Sequence, residues 1–188
     1  MAQPARPLRA DAVRNRSRVL EVAYETFAAE GLSVPIDEIA RRAGVGAGTV
    51  YRHFPTKEAL FRAVVEDRLR RIVEEGQSLL KSGNPGEALY TFLRSMVVEW
   101  GTDRGLVDAL AGFEIDIETA APEAEEAFLA LLGDLLRAAQ RAGTARPDVG
   151  VAEVKALLVG CQAMQSYNAA LAEQVTAVVV DGLRASPS

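Results

Sequence analysis

Cysteine occurs once in this chain of 188 residues, at Cys161, so no internal disulfide and no cysteine-based metal centre can form. Histidine also occurs once, at His53, which excludes a histidine cluster around a metal and leaves any catalytic role for it without partners. No metal and no cofactor is therefore expected. There is no uncharged apolar run of about 18 residues to span a bilayer. The first residues lack the charged-then-apolar pattern of a secretory signal. Aromatic residues make up only 6% of the chain, and no alternating apolar pattern flanked by hairpin turns marks a strand. These absences leave an all-helical, cytoplasmic protein as the expectation.

What is present is ordinary in amount and uneven in distribution. The apolar share of 49% and the charged share of 25% suit a globular chain. The net charge is −5, which at first argues against nucleic acid. Residues 1–72, however, carry 13 Lys/Arg against 9 Asp/Glu, a net of +4, while residues 73–188 carry a net of −9. A basic third on an acidic remainder is a polarity that a nucleic-acid partner would explain. Scattered surface charge is the plainer alternative.

Residues 1–9, with Pro4, Arg6, Pro7 and Arg9, read as a disordered basic arm, and Asp11 is placed to cap a first helix. Val19, Leu20, Ala23, Tyr24 and Phe27 then recur at helical spacing until Gly31. Pro35 suits the first turn of a second helix, with Asp37 and Glu38 near its positive end. Ile36, Ile39, Ala40 and Ala43 give that helix its apolar face. A short break, Gly44-Val45-Gly46, leads into a third helix over Ala47–Phe54, which Pro55 closes. Thr56 caps a fourth helix reaching about Lys81. After the break Ser82-Gly83-Asn84-Pro85-Gly86, helices are expected at Glu87–Trp100, Leu106–Ile117, Pro122–Ala142, Val151–Tyr167 and Ala170–Arg184.

Two short helices joined by a tight turn and followed by a long helix describe a helix-turn-helix. Val45 is the apolar plug of the turn, and the glycines on either side permit positive φ. The second helix of the pair offers Thr49, Tyr51, Arg52 and His53, whose hydroxyl, guanidinium and imidazole groups suit phosphates and base edges.

The stretch IDEIARRAGVGAGTVYRHFPTKEALFRAVV resembles the DNA-binding signature of TetR-family regulators, over about Val13–Val65. The resemblance implies an all-α fold of about nine helices. Its three-helix DNA-binding head, residues 10–72, would carry a larger effector-binding and dimerisation body, residues 73–188. It places Thr49, Tyr51 and His53 on phosphate- and base-contacting positions, and Lys57 on the lysine that anchors backbone phosphate. Pro35 stands where the family often has a phosphate-binding Thr. Ala47 and Gly48, early in the reading helix, offer only van der Waals contact, so direct base readout rests on Arg52. The implied partners are a palindromic double-stranded operator, a small-molecule effector and a second copy of the chain. The implied function is a transcriptional repressor released from DNA by its effector.

For the body the resemblance implies a cavity. Phe92, Met96, Trp100, Phe113, Cys161, Met164 and Tyr167 are the candidates to line it, with plain core packing as the competing reading of each. Glu99, Glu114 and Asp116 would favour a cationic ligand there, with solvated surface as the equal alternative. Apolar stripes over Val151–Cys161 and Leu171–Leu183, with small residues at Ala156, Gly160 and Ala163, suggest the dimer interface, with burial within one subunit as the rival reading. An enzyme reading of GVGAGTV as a dinucleotide loop fails, because the third glycine is missing and the preceding segment is helical. A nucleophilic triad fails too, since His53 has no Ser or Cys partner beside it. A helical scaffold whose head no longer touches DNA is the remaining alternative, and the retained Thr49, Tyr51, His53 and Lys57 argue against it.

Overall fold

The computed structural model describes residues 6–102 and 121–185. Among the described residues there are eight helices and no sheet, only one isolated antiparallel bridge between Ala145 and Arg184. In chain order the helices are α1 (Arg6–Glu30), α2 (Ile36–Ala43), α3 (Ala47–His53), α4 (Lys57–Ser82), α5 (Pro85–Thr102), α6 (Pro122–Arg141), α7 (Val151–Tyr167) and α8 (Ala169–Gly182). The expected helix Leu106–Ile117 lies outside the described residues, and with it Phe113, Glu114 and Asp116. Among the described residues no helix is long and apolar enough to cross a membrane.

Three expectations are corrected at the front of the chain. The disordered arm over residues 1–9 is helical from Arg6. Pro7 tolerates a first helical turn, and the Leu, Ala and Arg residues after it are good helix formers. Asp11 therefore lies inside α1, where it pairs with Arg14 one turn on rather than capping the helix. Pro35 is the residue before α2, with an extended backbone at φ −65° and ψ 148°, and its carbonyl accepts from the N–H groups of Glu38 and Ile39.

The chain forms two compact units, and the division falls within α4, between Arg68 and Leu69. In the first unit Val19, Leu20, Ala23 and Phe27 bury one stripe of α1, and Ile36, Ile39, Ala40 and Ala43 bury one face of α2. Val50, Phe54, Leu60 and Phe61 complete this core. Phe27 and Phe61 meet edge to face at 5.8 Å, an arrangement that adds about 0.5–1.5 kcal/mol to their burial.

The second unit packs α5 against α6 through Leu89, Phe92 and Met96 on one side and Phe128, Leu131 and Leu135 on the other. Val154, Leu158, Val180 and Leu183 bring α7 and α8 onto the same core. Gly76 of α4 is buried here, and a Cβ in its place would stand 2.5 Å from Leu131 and 3.0 Å from Phe92. The far end of α8 is tied down by polar contacts. Arg184 forks onto Glu87 with two bonds of 2.9 Å, and its guanidinium lies 4.1 Å from the centre of the Tyr90 ring. The Tyr90 hydroxyl and the Ala185 N–H both donate to the Thr144 carbonyl, at 2.7 and 2.9 Å.

Candidate nucleic-acid interface

The angle between α2 and α3 is set by backbone bonds that the sequence makes possible at one residue. Gly44 adopts φ 68°, ψ 30°, a left-handed conformation that costs a side-chain-bearing residue about 1–2 kcal/mol. In that conformation its N–H donates to the Arg41 carbonyl at 3.1 Å, and the Val45 N–H reaches back to Ala40 at 3.0 Å. This pair of bonds satisfies the last carbonyls of α2 in the Schellman pattern, with Val45 half-buried against the corner. Gly46 does not share the conformation. Its φ is −68° and ψ 138°, so of the two turn glycines only Gly44 uses positive φ.

α3 is seven residues long and shows its faces clearly. Val50 is buried at 1% exposure and anchors the helix, while Phe54 caps it from within the core. Gly48, Tyr51, Arg52 and His53 are exposed, and Ala47 and Thr49 are half-buried. Tyr51, at 44% exposure, is an aromatic side chain of the head presented to solvent. The Arg52 Nε donates to the Gly48 carbonyl at 3.1 Å, which lays the side chain along its own helix and leaves both terminal nitrogens unused by that bond. Just beyond, Thr56 Oγ1 accepts from the Ala59 N–H at 3.1 Å, as the cap reading requires. Lys57 therefore stands at the first turn of a capped helix, half-buried beside the end of α3.

A network of charges that sequence reading did not assemble lies behind α2. Glu38 accepts from Arg41 at 2.7 Å through two nitrogens and from Arg42 at 2.8 Å. Arg42 also pairs with Glu30 at the end of α1. Hydrogen bonds from Arg41 and then Arg42 hold the Glu38 carboxyl down at about 2, well below the usual carboxylate range. The Arg41 and Arg42 charges are thus spent within the head. The 3- and 4-residue spacings from Glu38 were legible in the sequence; the Arg42–Glu30 pair, twelve residues apart, was not.

The candidates for a cavity are divided by the structure. Phe92, Met96 and Cys161 are buried, Met164 is half-buried, and Tyr167 is 91% exposed at the end of α7. Of Trp100 and Glu99 only the helical backbone is described. Phe92 packs on Phe128 with ring centres 6.4 Å apart. A void of about 10 Å³ lies among Leu93, Val97, Val154, Leu158, Cys161 and Thr176, room for about one water molecule. Among the described residues of this unit the buried acid is Glu125, whose Oε1 lies 2.6 Å from Lys155 Nζ. Its signal was present in the sequence, since Glu125 occupies the same stripe as Phe128, Leu132 and Leu135.

Comparison with known proteins bears on both units. Residues 19–64 match the family described as "Bacterial regulatory proteins, tetR family", and residues 84–185 match "Transcriptional regulator SbtR-like, C-terminal domain". The crystal structure of the TetR transcription regulatory protein from Mycobacterium vanbaalenii is similar along almost all of both chains. The identity is 65%, coverage is 95% of this chain and 99% of that one, and the TM-score is 0.79. The TetR transcriptional regulator SCO0520 from Streptomyces coelicolor is 32% identical, over 92% of this chain and 99% of its own, with a TM-score of 0.75. Among curated proteins, the HTH-type transcriptional regulator SrpR of Pseudomonas putida is 43% identical over 65 residues, 34% of this chain and 30% of that protein. The match to the curated relatives thus spans only about a third of their length.

Proposed function

Because the chain belongs to the TetR family of bacterial regulatory proteins, we propose that it is a sequence-specific DNA-binding transcriptional regulator acting in the cytoplasm. The observation that carries this reading is α3 itself, a short helix seated by Val50 and Phe54 that presents Tyr51, Arg52 and His53 outward, with Lys57 at the capped start of α4. In this reading residues 10–72 bind DNA and residues 73–188 bind the effector and form the dimer. Thr49, Tyr51, His53 and Lys57 meet phosphates and neighbouring base edges, Ala47 and Gly48 allow close approach, and Arg52 reads a base. No step of bond chemistry is assigned to the protein; its role is regulatory.

The regulator is a two-fold dimer held through α7 and α8. Val159, Leu171 and Val178 are 55%, 49% and 66% exposed on these helices, beside the exposed small residues Ala156, Gly160 and Ala163. Apolar side chains left in water on two adjacent helices support burial against a second copy. A small-molecule effector binds the body better in a conformation that misplaces the two heads, and so releases the operator and relieves repression. Selection of random duplexes by the purified protein tests the reading. The expected product is a palindrome with two half-sites; recovery of no preferred sequence would refute it and favour a scaffold that no longer binds DNA.

A further inference from the structure

The charge of the head is concentrated in one stretch of α1. Residues 6–18 hold five arginines and one aspartate, a net of +4, while residues 19–72 hold eight basic and eight acidic residues. The part of the head that contains α2, α3 and the start of α4 is therefore neutral, and the body that follows carries −9. Duplex DNA is a dense line of negative charge, and its binding draws mainly on the release of counterions by basic side chains. A reading unit of zero net charge on an acidic body gains little net attraction of this kind.

The described side chains of this stretch stand clear of the core. Residues 11–18 are all exposed, Val13 at 65%, and the first buried residue of α1 is Val19. Seven rises of about 1.5 Å make the segment from Asp11 to Arg18 roughly 10 Å long. That length passes several phosphates, which recur about every 3.4 Å along one strand. Its position relative to α3 is fixed at two points. The Arg16 guanidinium lies 5.6 Å from the centre of the Phe54 ring, where α3 ends. The Arg18 guanidinium lies beside Gly44, in the turn before α3, 3.9 Å from where a Cβ there would stand.

We propose that the α1 segment Asp11–Arg18 is a second DNA-contacting element, which holds backbone phosphates outside the base pairs read by α3 and adds to the attraction supplied by Lys57. This rests on the DNA-binding function proposed above. Arginines on a helix present a row of forked donors suited to phosphate oxygens. The contact adds affinity and site length without adding base preference.

The test uses the operator selected by the unmodified protein; failure to select one would count against the DNA-binding function and not against this element. Two variants follow, Arg14→Gln/Arg18→Gln and Arg14→Gln/Arg16→Gln/Arg18→Gln, the first of which keeps the Arg16–Phe54 contact. The fall of affinity with salt should become shallower by about 0.9 per phosphate released, so the triple variant should lose roughly 40-fold more affinity per half-site, and on the order of 1,000-fold more for the dimer, at 50 mM than at 200 mM salt. The preferred sequence should not change, and a variant with lysine at the same three positions should restore most of the salt dependence. If the triple variant melts at a lower temperature, the double variant decides, with about two-thirds of the change in slope. Unchanged affinity and slope in the double variant, or an altered preferred sequence, would overturn the proposal.

Discussion

Removing the Arg52 side chain separates base reading from phosphate binding more sharply than any other change in the head. Ala47 and Gly48 have no side-chain donor, and Thr49 is half-buried, so Arg52 is the long forked donor on the exposed side of α3. Guanine presents O6 and N7 to such a fork, and a bidentate contact is worth about 1–3 kcal/mol of discrimination. The existing bond from Nε to the Gly48 carbonyl uses one of five N–H groups and leaves the two terminal nitrogens for the base. It also holds the side chain in one direction, so less rotamer freedom is lost on binding than the roughly 2 kcal/mol of an unrestrained arginine. The contact should therefore fall in the upper half of the range. Across two half-sites the loss for Arg52→Ala on the native operator is about 4–6 kcal/mol, additive for separated positions. The assay compares the unmodified protein and Arg52→Ala on the native operator and on one with the contacted base pair swapped in both half-sites. The variant should bind the two duplexes almost equally, whereas the unmodified protein should separate them. An equal loss of affinity on both duplexes would place Arg52 on phosphate and refute the argument.

Lys57→Ala should weaken binding to all sequences alike and reduce the salt slope by about 0.9 per contacted half-site, measured by titration at several salt concentrations. Gly44→Ala places a Cβ in ordinary contact with the Arg18 guanidinium, 3.9 Å away, but at φ 68°, so thermal melting should report a loss of about 1–2 kcal/mol from backbone strain. Val178→Asp should leave the fold intact and yield a monomer in sedimentation, because Val178 is two-thirds exposed within the chain; a dimer of unchanged strength would move the interface elsewhere. The Glu38 carboxyl titrates at about 2 in the folded head against 4.5 for the free group, so it binds fewer protons folded than unfolded. Its stabilisation is complete above about pH 4.5 and vanishes as the pH falls toward 2. Acid titration of Glu38→Gln should accordingly show a flatter loss of stability across that window.

Local signals carried most of the head. The apolar spacing of Ile36, Ile39, Ala40 and Ala43, the glycine after Ala43 and the threonine before Lys57 are caps and stripes that act within one turn, and α2, α3 and the start of α4 follow from them. Where the structure departed from expectation, the deciding contact was long in sequence or the local signals conflicted. Two prolines suggested disorder before residue 10, but Pro7 falls in a first turn where its missing N–H costs nothing. Arg16 meets Phe54 across 38 positions and Arg42 meets Glu30 across 12, pairings that no periodicity encodes. In the body the described helices were legible because their stripes are long. The fate of single side chains was not, since Phe92 and Tyr167 look alike in sequence and differ completely in exposure.

Gly76 has a consequence for inheritance. With no side chain at this position, α4 approaches Leu131 and Phe92 as closely as a backbone can. Any other amino acid adds at least a methyl group where the nearest atoms already stand 2.5 and 3.0 Å away. A substitution of this glycine can therefore only push α4 outward or displace the buried pair behind it; none can draw the helix inward. The site is a one-way valve on variation: a bulkier residue is accommodated only where the Leu131 and Phe92 side chains give way.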